Sequence, residues 1–388
     1  MPTLPDASLP EPDAEAAKHS AQLIEHIHHE IDAQQGWISF ARYMELALYA
    51  PGLGYYTAGA NKFGEAGDFI TAPELSPLFG RTLAKQCIQI MQESAPHILE
   101  LGAGSGKLAL DILSELENHG LLPESYHILE VSADLRERQQ ALLLQRIPHL
   151  FSLVSWLDTL PSTFNGVVLA NEVLDALPVH RVQWHGETLQ ELGVAWYENR
   201  FIWQARTITD GTLLEAAQKI KVPDDYVSEI GLAARGLINS IASRLTQGAL
   251  IFIDYGFGAK EFYHPQRAEG TLMCHYRHRA HANPFYLPGL QDITAHVNFT
   301  DIAETGIDAG LMLMGYTNQA FFLINNGITE LLDGISPDNL REFLPLSSQL
   351  QKLTSPAEMG ELFKVIALGK DLNPSLTGFS RGDLTRLL

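Results

Sequence analysis

The chain opens with helical periodicity and then shifts to β-rich runs. Over 21–31 the apolar residues Leu23, Ile24, Ile27 and Ile31 share one helical face, and Ser39 can cap a second helix through residue 47. The stretch 49–77 is dense in Gly, Pro and Tyr and has no period, so it reads as a long loop, ordered or gating. Beyond it, 97–101, 126–131, 151–156 and 166–170 read as strands and 107–118 and 135–146 as helices. A helical segment over 227–245 then leads into a buried strand over 249–255. Alternation of this kind predicts an α/β fold, a doubly wound and mostly parallel sheet with helices on both faces.

Between the fourth and fifth strands lie 69 residues, 180–248, more than a crossover helix needs. Turn signals at His185-Gly186 and Glu198-Asn199 separate β-rich runs there and predict a small antiparallel meander. Two later runs, 319–324 (QAFFLI) and 362–368 (LFKVIAL), are expected to close the sheet as an antiparallel pair. The implied organisation is a disordered leader over 1–17, N-terminal helices and a loop over 18–80, and the ligand-binding half of the main domain over 81–180. An inserted α+β subdomain follows over 181–247, and the second half of the main domain with acceptor-side loops over 248–388.

Charge and composition narrow the function. With 26 Lys+Arg against 46 Asp+Glu the net charge is −20, which repels phosphate backbones and argues against nucleic-acid binding. Two cysteines, Cys87 and Cys274, are too few for a disulfide framework and fit a reducing compartment. No apolar run reaches the length of a membrane span. Residues 1–17 carry four prolines and no Lys or Arg, unlike a signal or transit peptide, and read as a leader on a cytoplasmic protein.

The strongest chemical signal is ILELGAGSGKL over 98–108, where a strand ends in Glu100 and passes through Gly102, Gly104 and Gly106 into a helix. Three glycines let the backbone bend and a ligand approach closely, so that a side chain at Gly104 is expected to clash with ligand and loop alike. A dinucleotide fingerprint needs glycine at 107, where Lys107 stands; a P-loop needs glycine at 101 and a hydroxyl at 108, where Leu101 and Leu108 stand. The remaining pattern, E-x-G-x-G-x-G, resembles the first motif of class I S-adenosyl-L-methionine-dependent methyltransferases. Glu100 would attract the ammonium of the methionine moiety while the loop amides face its carboxylate. Glu130, about 20 to 30 residues on, is placed to accept the ribose hydroxyls, and Asp158 after the third strand to read the adenine edge.

The blocks GDFITAPELSPLFG (67–80), ELGAGSGKLALDIL (100–113), ANEVLDALPVHR (170–181), DYGF (254–257) and QDITAHVNF (291–299) together resemble the MidA family. These are bacterial relatives of the mitochondrial complex I assembly-factor methyltransferases. The resemblance implies a Rossmann-like methyltransferase that uses S-adenosyl-L-methionine, releases S-adenosyl-L-homocysteine, and has Ala103, Ser105, Val131, Leu157 and Asn171 beside the cofactor. It also implies a protein substrate, arginine of a respiratory complex I subunit in the eukaryotic members; a second copy of the chain is a further expected partner.

Methyl transfer from a sulfonium needs a positioned acceptor and one managed proton. An arginine acceptor, with a pKa above about 12, needs carboxylates that hold the guanidinium in a fork. Asn171, Glu172 and Asp175 follow the fourth strand, where this superfamily binds its acceptors, and are the first choice; the plainer alternative makes Asp175 a helix cap and Glu172 a solvated acid. The amino-methylating signature, Asn or Asp before Pro-Pro-aromatic, is absent at Asn171-Glu172-Val173-Leu174. Asp68, Phe69, Thr71 and Glu74 form a candidate acceptor or lid loop, with packing of Phe69 and Pro73 as the structural alternative. His275, His278 and His281 in MCHYRHRAH suggest a surface or acceptor-lining segment rather than a metal site, since Arg277 and Arg279 intervene and methyl transfer requires no metal.

Overall fold

The computed structural model describes residues 9–58, 71–186, 188–333, 339–373 and 375–388, which fall into two compact units. One unit takes 70–175, 234–262 and 297–388, and the other takes the described residues of 1–69 with Ala176–Ala233 and Tyr263–His296. The 181–247 segment is therefore cut near residue 233, where the helix Leu232–Ala242 runs on into the fifth strand of the sheet.

The central sheet of the first unit runs through seven strands, β1 (His97–Leu101), β2 (Ser125–Leu129), β3 (Val154–Leu157), β4 (Phe164–Asn171), β5 (Leu245–Phe257), β6 (Met312–Asn318) and β7 (Phe363–Lys370), with the short Val297–Asn298 pairing the end of β5 as an eighth. Their order is β3-β2-β1-β4-β5-β7-β6. Strands β1 to β5 run parallel, while β7 lies antiparallel between β5 and β6. Strands covered on both faces must be apolar throughout, and Ile98, Leu99, Val167, Val168, Leu169 and the run Ala249 to Ile253 are all buried. Helices α1 (Pro77–Glu93), α2 (Lys107–Asn118) and α3 (Ala133–Arg146) pack Phe79, Leu83, Ile112, Leu116 and Leu143 into this core.

The helix α2 and the strand β1 fall on the expected residues, and β7 closes the sheet as an antiparallel strand. Its partner differs: 319–324 is the helix Gln319–Asn325, capped by Asn318, whose side chain accepts from the Phe321 backbone N–H at 2.9 Å, and the strand is the preceding Met312–Asn318. The third strand begins only at Val154, after a 3-10 turn at Phe151–Leu153.

In the other unit the helix Ala14–Ala33 starts inside the expected leader, because Asp13 accepts the Ala16 N–H at 2.8 Å and Ala16 is buried. Ser39 caps Phe40–Tyr49 by accepting from Arg42 N at 3.1 Å. The meander is present as His180–His185, Thr188–Tyr197 and Arg200–Thr207, with Glu198 and Asn199 both at positive φ in its second turn. The expected helix over 227–245 is instead a strand, Tyr226–Ile230, paired with His180–His185, followed by the shorter Leu232–Ala242. Leu23, Ile27, Phe40, Tyr43, Val194 and Phe201 form this unit's main core. The histidine-rich segment is a β-hairpin, Met273–Tyr276 with Arg279–His281, turned at Arg277 and His278. Among the described residues no helix is long and apolar enough to cross a membrane.

Candidate active site

The chain leaves β1 outward to β2 and β3, then returns to β4 and continues to β5, so the sheet reverses direction between β1 and β4. A ligand crevice is expected at the carboxyl ends of those two strands. The glycine loop follows β1, and Asn171, Glu172 and Asp175 follow β4.

Gly102, Gly104 and Gly106 take φ of 62°, 53° and 85°, a region that costs other residues roughly 1–2 kcal/mol. The loop is tied to β2 by Gly102 N–H donating to Leu129 O at 3.0 Å, and closes on itself through Gly106 N–H to Ala103 O at 2.8 Å. The next residue begins α2, so the loop ends at the positive pole of a 12-residue helix. A Cβ on Gly106 would stand 3.2 Å from Gln139 Cα, whereas a Cβ on Gly104 would meet nothing within 4 Å. The expected clash of a Gly104 side chain with the loop itself is thus not there; open space lies beside that residue. Ser105 Oγ donates to Glu74, which stands on the short helix Ala72–Leu75 after Thr71. Of the lid residues, Glu74 therefore reaches the glycine loop, while Asp68 and Phe69 lie outside the described residues.

Glu100 is 2% exposed and accepts the Tyr126 hydroxyl at 2.7 Å. Burial pushes its carboxyl up to about 7, the Tyr126 hydrogen bond working against this and the Glu130 charge adding to it. The side chain is thus held inside the sheet against β2. Glu130 is also buried, with Oε1 accepting from Ser132 N at 3.0 Å and Oε2 from Gln139 Nε2 at 3.2 Å. Burial raises its pKa against those donors, the Val131 N–H and the Arg136 charge. Val131 beside it is 69% exposed at the open end of β2. Asp158 is exposed and pairs with Arg136 Nη1 at 2.7 Å, while Arg136 Nη2 and Nε donate to Leu157 O and Glu130 O, each at 2.7 Å.

After β4, Asn171 Nδ2 donates to Glu172 Oε1 at 3.0 Å, and Glu172 N–H donates to Ile253 O at 2.9 Å. Glu172 holds φ of 52°, the left-handed region that an L side chain rarely takes outside a constrained site. Asn171 Oδ1 is buried with no hydrogen-bond partner among the described residues. Asp175 is buried, and beside it Asp254 is 1% exposed at the end of β5. Asp254 Oδ2 accepts from Leu174 N at 2.9 Å and Asp175 N at 3.2 Å, and Oδ1 from Tyr255 N at 2.9 Å. Burial, then the charges of Asp175 and Glu172, push Asp254 well above the ordinary carboxylate range, with the Asp175 and Tyr255 N–H groups opposing.

The structure thus groups the glycine loop, Glu130, Val131, Leu157 and Asp158 at one set of strand ends, and Asn171, Glu172 and Asp175 at the adjacent one. Arg136, Gln139 and Asp254 join them without having been read from the sequence. Asp254 closes a buried strand just as Glu100 does, and that position was the available signal; Arg136 and Gln139 read as ordinary polar residues of a helix. A left-handed glycine loop, a helix N-terminus facing it, open space at Gly104 and a buried carboxylate at the end of β2 fit a ligand carrying a carboxylate and a ribose. S-adenosyl-L-methionine has both.

Comparisons with known proteins point the same way. A family model described as S-adenosyl-L-methionine-dependent methyltransferase matches residues 82–317. The mitochondrial protein arginine methyltransferase NDUFAF7 of Danio rerio is 30% identical over 387 residues, covering 89% of this chain and 86% of that protein. Its Homo sapiens counterpart is 29% identical, covering 89% and 83%. The crystal structure of a superfamily member from Burkholderia thailandensis bound to S-adenosyl-homocysteine superposes with a TM-score of 0.93 at 46% identity, covering 98% of this chain and 100% of that one.

Proposed function

The chain belongs to this family of S-adenosyl-L-methionine-dependent methyltransferases, and on that premise we propose that it methylates a protein arginine. One observation carries the reading: relatives similar over nearly nine-tenths of the chain are named protein arginine methyltransferases, and here Glu172 and Asp175 beyond β4 stand together with Asp254 of β5. When bound, the cofactor supplies a methyl group on a sulfonium sulfur and leaves as S-adenosyl-L-homocysteine.

The protein's own part is to hold and orient the acceptor. A guanidinium presents five N–H donors in a rigid fork, and a pair of carboxylates matches two of them while leaving a third nitrogen free. Glu172 and Asp175 would supply that pair. Their negative field lowers the cost of bringing the cation into a poorly hydrated site, and a carboxylate beside the reacting nitrogen can take the proton that methylation releases. A subunit of respiratory complex I is the acceptor that the family resemblance offers.

The test is incubation of the purified protein with methyl-labelled S-adenosyl-L-methionine and a proteome extract, followed by location of the label. Label on arginine supports the proposal. Label on a small molecule replaces it with a small-molecule methyltransferase, and no label on any species while S-adenosyl-L-homocysteine still binds favours a binding scaffold.

A further inference from the structure

Gln139 sits in the middle of α3 with no exposure to solvent, and its amide meets three elements of the cofactor-binding half. Its Nε2 donates to Gly104 O at 2.8 Å and to Glu130 Oε2 at 3.2 Å, while its Oε1 accepts the Trp156 indole N–H on β3 at 2.8 Å. The orientation of the amide follows from chemistry. Trp156 can only donate, so it must face the oxygen, and this turns both N–H bonds toward two groups that can only accept. Burying an amide without partners is costly, and here each donor is used.

The backbone is shaped to permit this. A Cβ on Gly106 would lie 3.2 Å from Gln139 Cα and 3.3 Å from its Cβ, so the third glycine of the loop lets α3 approach closely enough for the amide to reach Gly104. Gly104 itself has open space on its Cβ side, and its peptide is held by the Gln139 side chain.

We infer that Gln139 is the positioning residue of the cofactor site, a single buried amide that fixes the Gly104 peptide and the Glu130 carboxylate in one geometry before the ligand arrives. It touches no reacting atom. It acts through the two groups that face the methionine moiety and the ribose, and the inference rests on the reading of Glu130 as the ribose acceptor.

Two variants separate positioning from packing. Gln139→Met keeps length and apolar volume and removes all three hydrogen bonds. Gln139→Glu keeps the acceptor for Trp156 but sets a carboxylate against Glu130 and the Gly104 carbonyl, tolerable only while a proton is shared. The groups facing that pair are Glu100 from β1, Arg136 from α3 and, beyond Arg136, Asp158 just after β3.

S-adenosyl-L-homocysteine affinity is measured by calorimetry from pH 5.5 to 8.5 on wild type and both variants, with a thermal melt of each. The expected result is at least a tenfold loss for Gln139→Met at every pH, and for Gln139→Glu an affinity that falls more steeply with rising pH than that of wild type. A third readout needs no stable variant: in ligand-free wild type the Trp156 indole N–H should already be hydrogen-bonded and slow to exchange with solvent. Variants that bind within twofold of wild type with no new pH trend overturn the inference, as does a Trp156 N–H that exchanges freely until the ligand is added. Glu130→Ala binding as tightly as wild type would instead overturn the ribose reading, and the two failures are told apart in one titration series.

Discussion

Asp254 Oδ2 accepts the Leu174 backbone N–H at 2.9 Å, and this bond, repeated to Asp175 N at 3.2 Å, anchors the turn in which Glu172 keeps a φ of 52°. A strained residue persists only where its surroundings over-determine it. One buried carboxylate does so here, from the neighbouring strand.

Asp254→Asn tests that anchor. An amide oxygen can still accept from Leu174 and Asp175, but its NH₂ then faces the Tyr255 N–H and one half-buried donor is orphaned, a cost of about 1–3 kcal/mol. Methyl transfer is expected to fall at least tenfold while S-adenosyl-L-homocysteine affinity stays within twofold, because the glycine loop is untouched. Rates and calorimetry on the same preparation decide; an equal loss in both would mean that Asp254 supports the whole crevice.

The loop glycines should separate by environment. Gly106→Ala forces a Cβ against Gln139 at a φ of 85°, so strain and overpacking together should cost about 2–4 kcal/mol of folding stability. The Cβ of Gly104→Val would meet no protein atom within 4 Å, so its folding cost should be about 1–2 kcal/mol, mainly for its φ, yet its side chain fills the space the ligand needs. Denaturant melts should rank Gly106→Ala below Gly104→Val, with ligand titration showing collapse in the latter. The reverse ranking would place the open side of the loop elsewhere.

Glu100 gives a pH-dependent stability with a definite sign. Its folded pKa, about 7, lies above the ordinary 4.5, so the folded state holds the proton more tightly. Below about pH 4.5 both states are protonated and the residue contributes nothing. As pH climbs toward 7 the unfolded chain releases its proton first and stability falls, the full cost persisting above 7. Glu100→Gln, which can still accept from Tyr126, should be more stable than wild type at pH 8 and equal to it near pH 4. Denaturation curves at pH 4, 6 and 8 that stay parallel would show that Glu100 ionises freely.

How far the sequence could be read follows from where periodicity and chemistry agree. Lys107–Asn118 is legible because an apolar stripe starts at a glycine that cannot continue a strand and ends before Gly120. The ligand loop is legible because glycine best suits three left-handed positions alternating along five residues. QAFFLI is a short apolar run that suits either a helix or a strand, and an Asn cap with a preceding strand decided for the helix. Tyr226–Ile230 lies in a stretch with helical spacing, yet pairing with His180–His185 overrode it. The roles of Asp254 and Gln139 were not legible for a further reason, although Asp254 stands at the end of an apolar run: both roles rest on contacts made across 80 and 35 residues of chain.

Glu130→Ala removes a carboxylate proposed to accept both ribose hydroxyls, each bond worth about 1.5–3 kcal/mol when charge-assisted. It also frees the Ser132 N–H and one Gln139 donor. Affinity for S-adenosyl-L-methionine and S-adenosyl-L-homocysteine should drop together, at least tenfold. A loss confined to one of them would give Glu130 a role at the methyl-bearing sulfur, where alone the two ligands differ, rather than at the shared ribose.

Glu172→Gln separates acceptor binding from cofactor binding. The substitution keeps the volume and the Asn171 contact in reach, since an amide oxygen still accepts from Asn171 Nδ2. The strained backbone should persist as well, because Asp254 holds it from β5 through Leu174 and Asp175 rather than through the Glu172 side chain. What disappears is the charge that orients a guanidinium. If that charge acts in the transition state, label transfer to the identified acceptor should fall on the order of 10²-fold, the loss typical of deleting one preorganised electrostatic contact. S-adenosyl-L-homocysteine titration of the same variant should match wild type within twofold. A neutral acceptor would be indifferent to the change, so transfer at the wild-type rate would remove Glu172 from acceptor recognition and turn the search toward uncharged substrates.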